Sequence, residues 1–229
     1  MPRRLSDDEL LAIYDQDYVD IYDPHAVARI GRMLPLFDLS PTDVVADFGC
    51  GDGVLLELIA DRVRQYVGVD FSEPFIGAAS RRRDAHGIGN GVFERADIVE
   101  FCARHRETFD AAFALDFSEH VYDDQFLHIF GAVRNALKPG GRLYLHTPNA
   151  DYFLERLHKW GVLAPVKGHV GVRDAGQHVD LLTRCGFDEV LVRYLAHYLR
   201  FASMFHLLGR APVAGRLFRA RLFITARRA

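Results

Sequence analysis

Asp116, Glu119 and His120 place two carboxylates and an imidazole at i, i+3 and i+4 within Asp116-Phe117-Ser118-Glu119-His120-Val121. On one helical turn that spacing faces a single way. Oxygen and imidazole donors gathered so can hold a divalent cation, which acidifies a bound hydroxyl or water. Alternatively His120, whose ring titrates near neutrality, can itself take a proton from an acceptor hydroxyl, with Glu119 beside it. The plain alternative for all three is a polar wall without a metal. The second chemistry-bearing stretch lies earlier, in Val44-Val45-Ala46-Asp47-Phe48-Gly49-Cys50-Gly51-Asp52-Gly53-Val54-Leu55-Leu56. Alternating glycines after an apolar run let the backbone adopt positive φ and let a ligand approach a chain without Cβ atoms, opposite the free N–H groups of a helix start. The spacing is G-x-G-x-G, whereas a dinucleotide fingerprint needs G-x-G-x-x-G. The carboxylate of Asp47 before the loop suits a cationic ligand better than a pyrophosphate.

Positioning these groups requires an alternation of strands and helices. Val44 to Phe48 reads as a buried parallel strand, and the helical pattern Leu55, Leu56, Ile59, Val63 follows the loop at once. A second strand, Gln65 to Asp70, ends in a carboxylate about twenty residues past the loop, where adenosine cofactors present a ribose. Ser72 can cap the next helix, with Pro74 in its first turn. Gly91 to Arg95 is the third strand, ending near Ala96-Asp97-Ile98. Phe109 to Leu115 is the fourth, running into the Asp116–His120 stretch. A helix with Phe126, Ile129, Phe130, Val133 and Leu137 on one face stops at Lys138-Pro139-Gly140-Gly141, and a fifth strand runs from Arg142 to Thr147. Tyr152 to Trp160 reads as a short amphipathic helix, with Pro165 to Gly168 as a loop. Asp174 and Gln177 form a capping box, Val179 and Leu182 give the next helix an apolar face, and Gly186 stops it. Phe187 to Val192 and Arg221 to Arg227 supply the sixth and seventh strands, the last antiparallel. The fold class is therefore α/β: a seven-stranded, mostly parallel Rossmann-like sheet with an antiparallel last strand and helices on both faces.

This order of motifs resembles the class I S-adenosylmethionine-dependent methyltransferases, over about residues 40–150. The Glu119-His120 pair and the Leu137-Lys138-Pro139-Gly140-Gly141 turn resemble their ubiquinone-biosynthesis O-methyltransferase branch and its small-molecule relatives. The resemblance implies S-adenosylmethionine as cofactor. Asp47, Gly49, Cys50 and Gly51 would hold its methionine part, Asp70 its ribose hydroxyls, and Asp97 its adenine amino group. Ile98, Phe71 and Leu115 would line the same site. It also implies a finer motif, shared with metal-assisted O-methyltransferases of polyprenylated catechols and small-RNA 3′ ends, in which an acid-x-x-Glu-His set is completed by a later histidine. Here the metal ligands would be Asp116, Glu119, His120 and His169, with His178 the weaker candidate inside a helix. The first position is Asp rather than the usual Glu. Enzymes that methylate amide or exocyclic amino nitrogens carry an Asn- or Asp-Pro-Pro-aromatic turn after the fourth strand. Its absence disfavours nucleobases and nucleic-acid partners.

Composition bounds the rest. The 229 residues, 49% apolar, can bury one sizeable core. No run of eighteen apolar residues appears and the first residues lack a secretory apolar stretch, so the expectation is a cytoplasmic protein, at most peripheral to the inner face of a membrane. Cys50, Cys102 and Cys185 are odd in number, without metal-site spacing. The net charge of −3 hides seven acids within residues 1–24 and eight Arg with no acid after Glu189. Residues 1–40 read as an N-terminal helical cap over the cofactor pocket, in which Tyr14, Tyr18 or Tyr22 either closes the pocket or packs on the core. Residues 41–229 read as the methyltransferase domain, with a helical insertion at about 197–220. Tyr198, Phe201, Ala202, Phe205 and Leu208 share one face of that insertion, which packs on its own domain, serves as a lid or membrane-touching element, or forms a dimer face. The expected activity is methyl transfer to a small-molecule acceptor at a hydroxyl oxygen, the acceptor apolar, aromatic or lipid-like. Transfer to carbon or nitrogen, or a non-catalytic cofactor-binding regulatory subunit, is the alternative. A nicotinamide dehydrogenase fails on the glycine spacing.

Overall fold

The computed structural model describes residues 4, 9, 12, 13, 25–164, 166–197, 209 and 215–229. Tyr14, Tyr18 and Tyr22, and the face of Tyr198, Phe201, Phe205 and Leu208, lie outside the described residues, and so do half of the N-terminal cap and most of the insertion. Seven strands form the expected sheet: β1 Val44–Phe48, β2 Gln65–Asp70, β3 Gly91–Arg95, β4 Phe109–Leu115, β5 Leu137–Pro148, β6 Phe187–Leu195 and β7 Arg221–Arg228. Their order is β3-β2-β1-β4-β5-β7-β6. Pairs β1–β2, β2–β3 and β4–β5 are parallel, whereas β7 runs antiparallel to both β5 and β6. The described helices are α1 Ala26–Gly31, α2 Val54–Ile59, α3 Glu73–Ala85, α4 Ile98–Arg104, α5 Asp123–Ala136, α6 Phe153–Lys159 and α7 Ala175–Arg184. The chain divides into two compact units, residues 1–97 and 98–229.

In the first unit every residue of β1 is buried, as a strand covered on both faces requires. Val54, Leu55, Leu56 and Ile59 supply the buried stripe of α2. Tyr66 of β2 meets Phe93 of β3 edge-on at 5.8 Å between centroids. The Ser72 hydroxyl accepts the Phe75 N–H and Pro74 lies in the first turn of α3, so both expected start signals operate. Gly68 is a packing requirement that strand periodicity does not announce. A Cβ there would stand 2.5 Å from the Phe93 ring and 3.0 Å from Cys50 Sγ.

In the second unit, β4 buries nearly its whole length, and Phe126, Phe130, Val133 and Ala136 form the inner face of α5. Phe126 and Phe130 stack at 4.2 Å, and Phe113, Tyr144 and Phe223 form a stacked ladder over β4, β5 and β7. Leu137 begins β5 instead of ending the preceding helix. The Lys138–Gly141 turn lies inside the strand, and the β4–β5 register jumps between Phe109 and Ala111 to absorb it. The capping box at α7 forms as expected: Gln177 N–H donates to Asp174 Oδ1 and Asp174 N–H to Gln177 Oε1, each at 2.9 Å. Its buried face is His178, Leu181 and Leu182; Leu182 is buried as expected, whereas Val179 is 36% exposed and lies off that face. Among the described residues no helix is long and apolar enough to cross a membrane.

Gly68→Ala is expected to cost about 1–3 kcal/mol through overpacking against Phe93. Urea denaturation measures this, and an unchanged midpoint would refute the packing argument.

Candidate active site

The glycine loop after β1 has the backbone its sequence implies. Gly49, Gly51 and Gly53 sit at φ of 71°, 53° and 78°, and a Cβ on Gly53 would come within 2.8 Å of the Phe93 ring. Two buried carboxylates flank the loop. Asp70 Oδ2 accepts the Gly51 N–H at 3.1 Å and its Oδ1 accepts the Ser72 N–H at 2.9 Å. The Asp70 carboxyl therefore fastens the loop to the end of β2. Asp47 Oδ2 accepts from the Tyr66 hydroxyl at 2.5 Å. Burial pushes Asp47 up to about 7; the Tyr66 hydrogen bond opposes this and the charge of Asp70 adds to it. Burial likewise raises Asp70 to about 6, against the backbone donors of Ser72, Gly51 and Phe71. Cys50 is buried beside them, with its thiol pushed well above its usual range, chiefly by burial and then by Asp70 and Asp47. Phe71 is 37% exposed directly after Asp70. Asp97 is exposed after β3. Ile98 and Leu115, the remaining expected cofactor residues, belong to the second unit, buried at the start of α4 and the end of β4.

Two side chains of this region were not foreseen. Tyr66, aligned with Val45 in the β1–β2 pairing, is fully buried and donates to Asp47. Arg82 of α3 reaches Asp52 inside the loop, through its carboxylate at 2.6 Å and its carbonyl at 3.0 Å, and the Glu57 carboxylate of α2 at 2.7 Å. Only a charge pattern thirty residues apart would have signalled it.

In the second unit the structure gathers Glu119, His120 and His169, whose ligand atoms all lie within 4.8 Å of one another. Asp116 does not join this set, which corrects the expectation of a single helical face. Asp116 adopts φ of 53° and only Ser118–His120 forms a 3-10 turn, so the i, i+3, i+4 geometry of an α-helix never arises. Its Oδ1 instead meets His146 Nδ1 at 3.0 Å and Arg221 at 3.2 Å. His178 is also elsewhere, fully buried in α7, with Nδ1 near the Asp174 carbonyl at 2.9 Å and Nε2 near Ser118 Oγ at 3.4 Å. Burial holds it down at about 4, a packed core histidine.

The convergent three are braced individually. Glu119 is 1% exposed; the Thr147 hydroxyl donates to its Oε2 at 3.0 Å, and its carbonyl accepts the N–H groups of Val170 and Gly171. His120 Nδ1 lies 3.1 Å from the Gly168 carbonyl; as donor there it leaves Nε2 as the nitrogen with the lone pair. His169 meets the His120 ring edge-on at 5.2 Å, and its buried Nδ1 has no hydrogen-bond partner among the described residues. Burial lowers both rings, His169 to about 3 with help from His120, Arg221 and His158. Neutral imidazoles and a buried carboxylate are a donor set a divalent cation accepts, and the orphaned Nδ1 is the observation that fits one.

A pH dependence follows from Asp47. Between about pH 4 and 7 the folded chain keeps a proton there that the unfolded chain has lost, so this group makes the ligand-free fold less stable as pH rises. A cationic ligand reverses that preference. Affinity for S-adenosylmethionine is expected to tighten about three- to fivefold from pH 6.5 to 8. Calorimetry checks it: Asp47→Asn should flatten the slope, and an equal slope in both proteins would remove Asp47 as the titrating group.

The profile of a methyltransferase domain family matches residues 22–192. A ubiquinone biosynthesis O-methyltransferase of Hahella chejuensis is 31% identical over 192 residues, covering 70% of this chain and 77% of that protein. One from Rhizobium johnstonii is 38% identical over 105 residues, which span 46% of this chain and only 41% of that relative. Among solved structures, phosphoethanolamine N-methyltransferase 2 of Haemonchus contortus superposes with a TM-score of 0.71 at 16% identity, covering 100% of this chain and 61% of that one. Geranyl diphosphate C-methyltransferase of Streptomyces coelicolor gives 0.65 at 15% identity, with 88% and 76% covered. Those last likenesses concern the fold, and their acceptors differ. With the profile covering most of the chain and the glycine loop and its carboxylates folded as described, the chain belongs to the methyltransferase domain family and is a class I S-adenosylmethionine-dependent methyltransferase.

Proposed function

We propose that the protein transfers the methyl group of S-adenosylmethionine to a hydroxyl oxygen of a small apolar or aromatic acceptor, with a divalent cation assisting. The observation that carries this reading is the convergence of Glu119, His120 and His169. The names of the O-methyltransferase relatives support oxygen as the acceptor atom. In this reading Asp47 and the glycine loop hold the methionine part of the donor, Asp70 its ribose, and Phe71 and Asp97 its adenine.

Methyl transfer from a sulfonium is an in-line displacement, so orientation and exclusion of water can supply on the order of 7–11 kcal/mol of the barrier reduction. An oxygen acceptor must in addition lose its proton. A cation on Glu119, His120 and His169 would supply Lewis-acid stabilisation of the resulting oxyanion. Thr147 keeps the Glu119 carboxylate oriented, and the Gly168 carbonyl fixes the His120 ring. A second reading rests on the same Gly168 contact: with Nδ1 donating there, His120 Nε2 is itself a base, kept neutral by its burial.

Two measurements separate the readings. Manganese binding, followed by electron paramagnetic resonance, should weaken at least tenfold in His169→Ala while affinity for S-adenosylhomocysteine stays within twofold. Wild-type protein that binds no manganese and turns over catechol acceptors fully in chelator would overturn the metal reading and leave His120 as base. Binding of NAD in place of S-adenosylhomocysteine would overturn the assignment of the loop.

A further inference from the structure

We infer that Arg173 is the positioning residue that sets the distance between the Glu119–His120 pair and His169, and hence the affinity of that site for a divalent cation. The inference rests on the proposed metal reading and adds the element that assembles it. Arg173 is 2% exposed, an unusual place for a guanidinium, and nearly all its donors are spent on two short pieces of chain. One Nη donates to the Ser118 carbonyl at 2.8 Å and to the Gly171 carbonyl at 2.7 Å; the other donates to the Val121 carbonyl at 2.8 Å. Ser118 and Val121 bracket Glu119 and His120. Gly171 follows His169 by two residues. The guanidinium is thus a bridge between the two segments that carry the three convergent side chains.

The remaining contacts fix the bridge itself. Nε donates to Asp123 Oδ1 at 2.7 Å at the start of α5, and the guanidinium lies over the Phe126 ring at 4.9 Å. Between the segments the chain comes unusually close. A Cβ on Gly171 would stand 2.1 Å from the Val121 carbonyl and 2.9 Å from an Arg173 Nη, so only glycine permits this approach. The N–H groups of Val170 and Gly171 both donate to the Glu119 carbonyl, at 3.0 and 2.9 Å. Each of these bonds shortens the gap across which His169 meets His120. Lysine cannot replace the clamp, because one ammonium cannot present the planar fork that reaches carbonyls on both segments and a carboxylate at once. Nothing in the sequence motif points to Arg173, which precedes a capping box and belongs to no ligand pattern.

The test compares wild type, Arg173→Lys, Arg173→Gln and Asp123→Asn in the presence of S-adenosylhomocysteine, with three readouts on the same samples: manganese affinity, cofactor affinity, and long-range proton–nitrogen spectra of the histidine rings. Both Arg173 variants are expected to weaken manganese binding at least tenfold with cofactor affinity within twofold, and to move the His120 and His169 ring signals while His86 stays in place. Asp123 is 72% exposed in its side chain, so Asp123→Asn folds even if the Arg173 variants do not. Losing that one anchor should cost two- to fivefold in manganese affinity. Unchanged manganese affinity and unmoved His120 and His169 signals in a folded variant would overturn the inference. Should wild type bind no manganese, the metal reading falls by itself, and the ring signals still decide: movement in the variants supports the clamp, and its absence refutes it.

Discussion

Burying a carboxylate costs several kcal/mol unless donors or an opposite charge meet it, and the first unit is built around two carboxylates placed so. Asp70 meets the cost with the backbone N–H groups of Gly51 and Ser72. Asp47 meets it with one phenol, from Tyr66. The consequences differ. Asp70 welds the glycine loop to the strand end and opens α3, so the loop's positive-φ backbone is held before any ligand arrives. Asp47 is left with less compensation and holds its proton to about pH 7. In the proposed site, the cationic part of S-adenosylmethionine would supply what the fold withholds.

The second unit solves the opposite problem. Here imidazoles and one carboxylate must sit close together on pieces of chain with no regular structure of their own, since Glu119 and His120 lie in a single 3-10 turn and His169 lies in a loop. Precision has to come from outside the motif. It comes from β5, whose Thr147 holds Glu119, and from the paired backbone N–H groups of Val170 and Gly171. Arg173 adds a buried cation whose donors converge on carbonyls. A site built on loops gains rigidity in this way without a helix or strand under each ligand.

Asp116 shows why a spacing argument has limits. Two carboxylates and a histidine at i, i+3 and i+4 converge only if the backbone is helical through all of them. The left-handed conformation at Asp116 ends that condition and sends its carboxylate to His146 and Arg221. Val179 and Leu137 fail for related reasons. An apolar residue at a helical interval can turn outward, and one at a helix end can open the next strand when the chain reverses without a linker.

The sequence by itself determined the strands, their alternation with helices, the glycine loop and the carboxylates at the ends of β1 and β2. These are local properties: period, turn chemistry and buried β-branched runs act over a few residues and leave a readable pattern. It also determined the pairing of Glu119 with His120, because they are neighbours in the chain. Tertiary structure alone decided that His169 and not His178 stands beside them, that Asp116 turns away, and that Tyr66, Arg82, Thr147 and Arg173 serve as braces. Each of those outcomes depends on contacts between residues about twenty to one hundred positions apart. Such contacts are set by where packed elements bring the chain together, and composition and period along one segment carry no record of that.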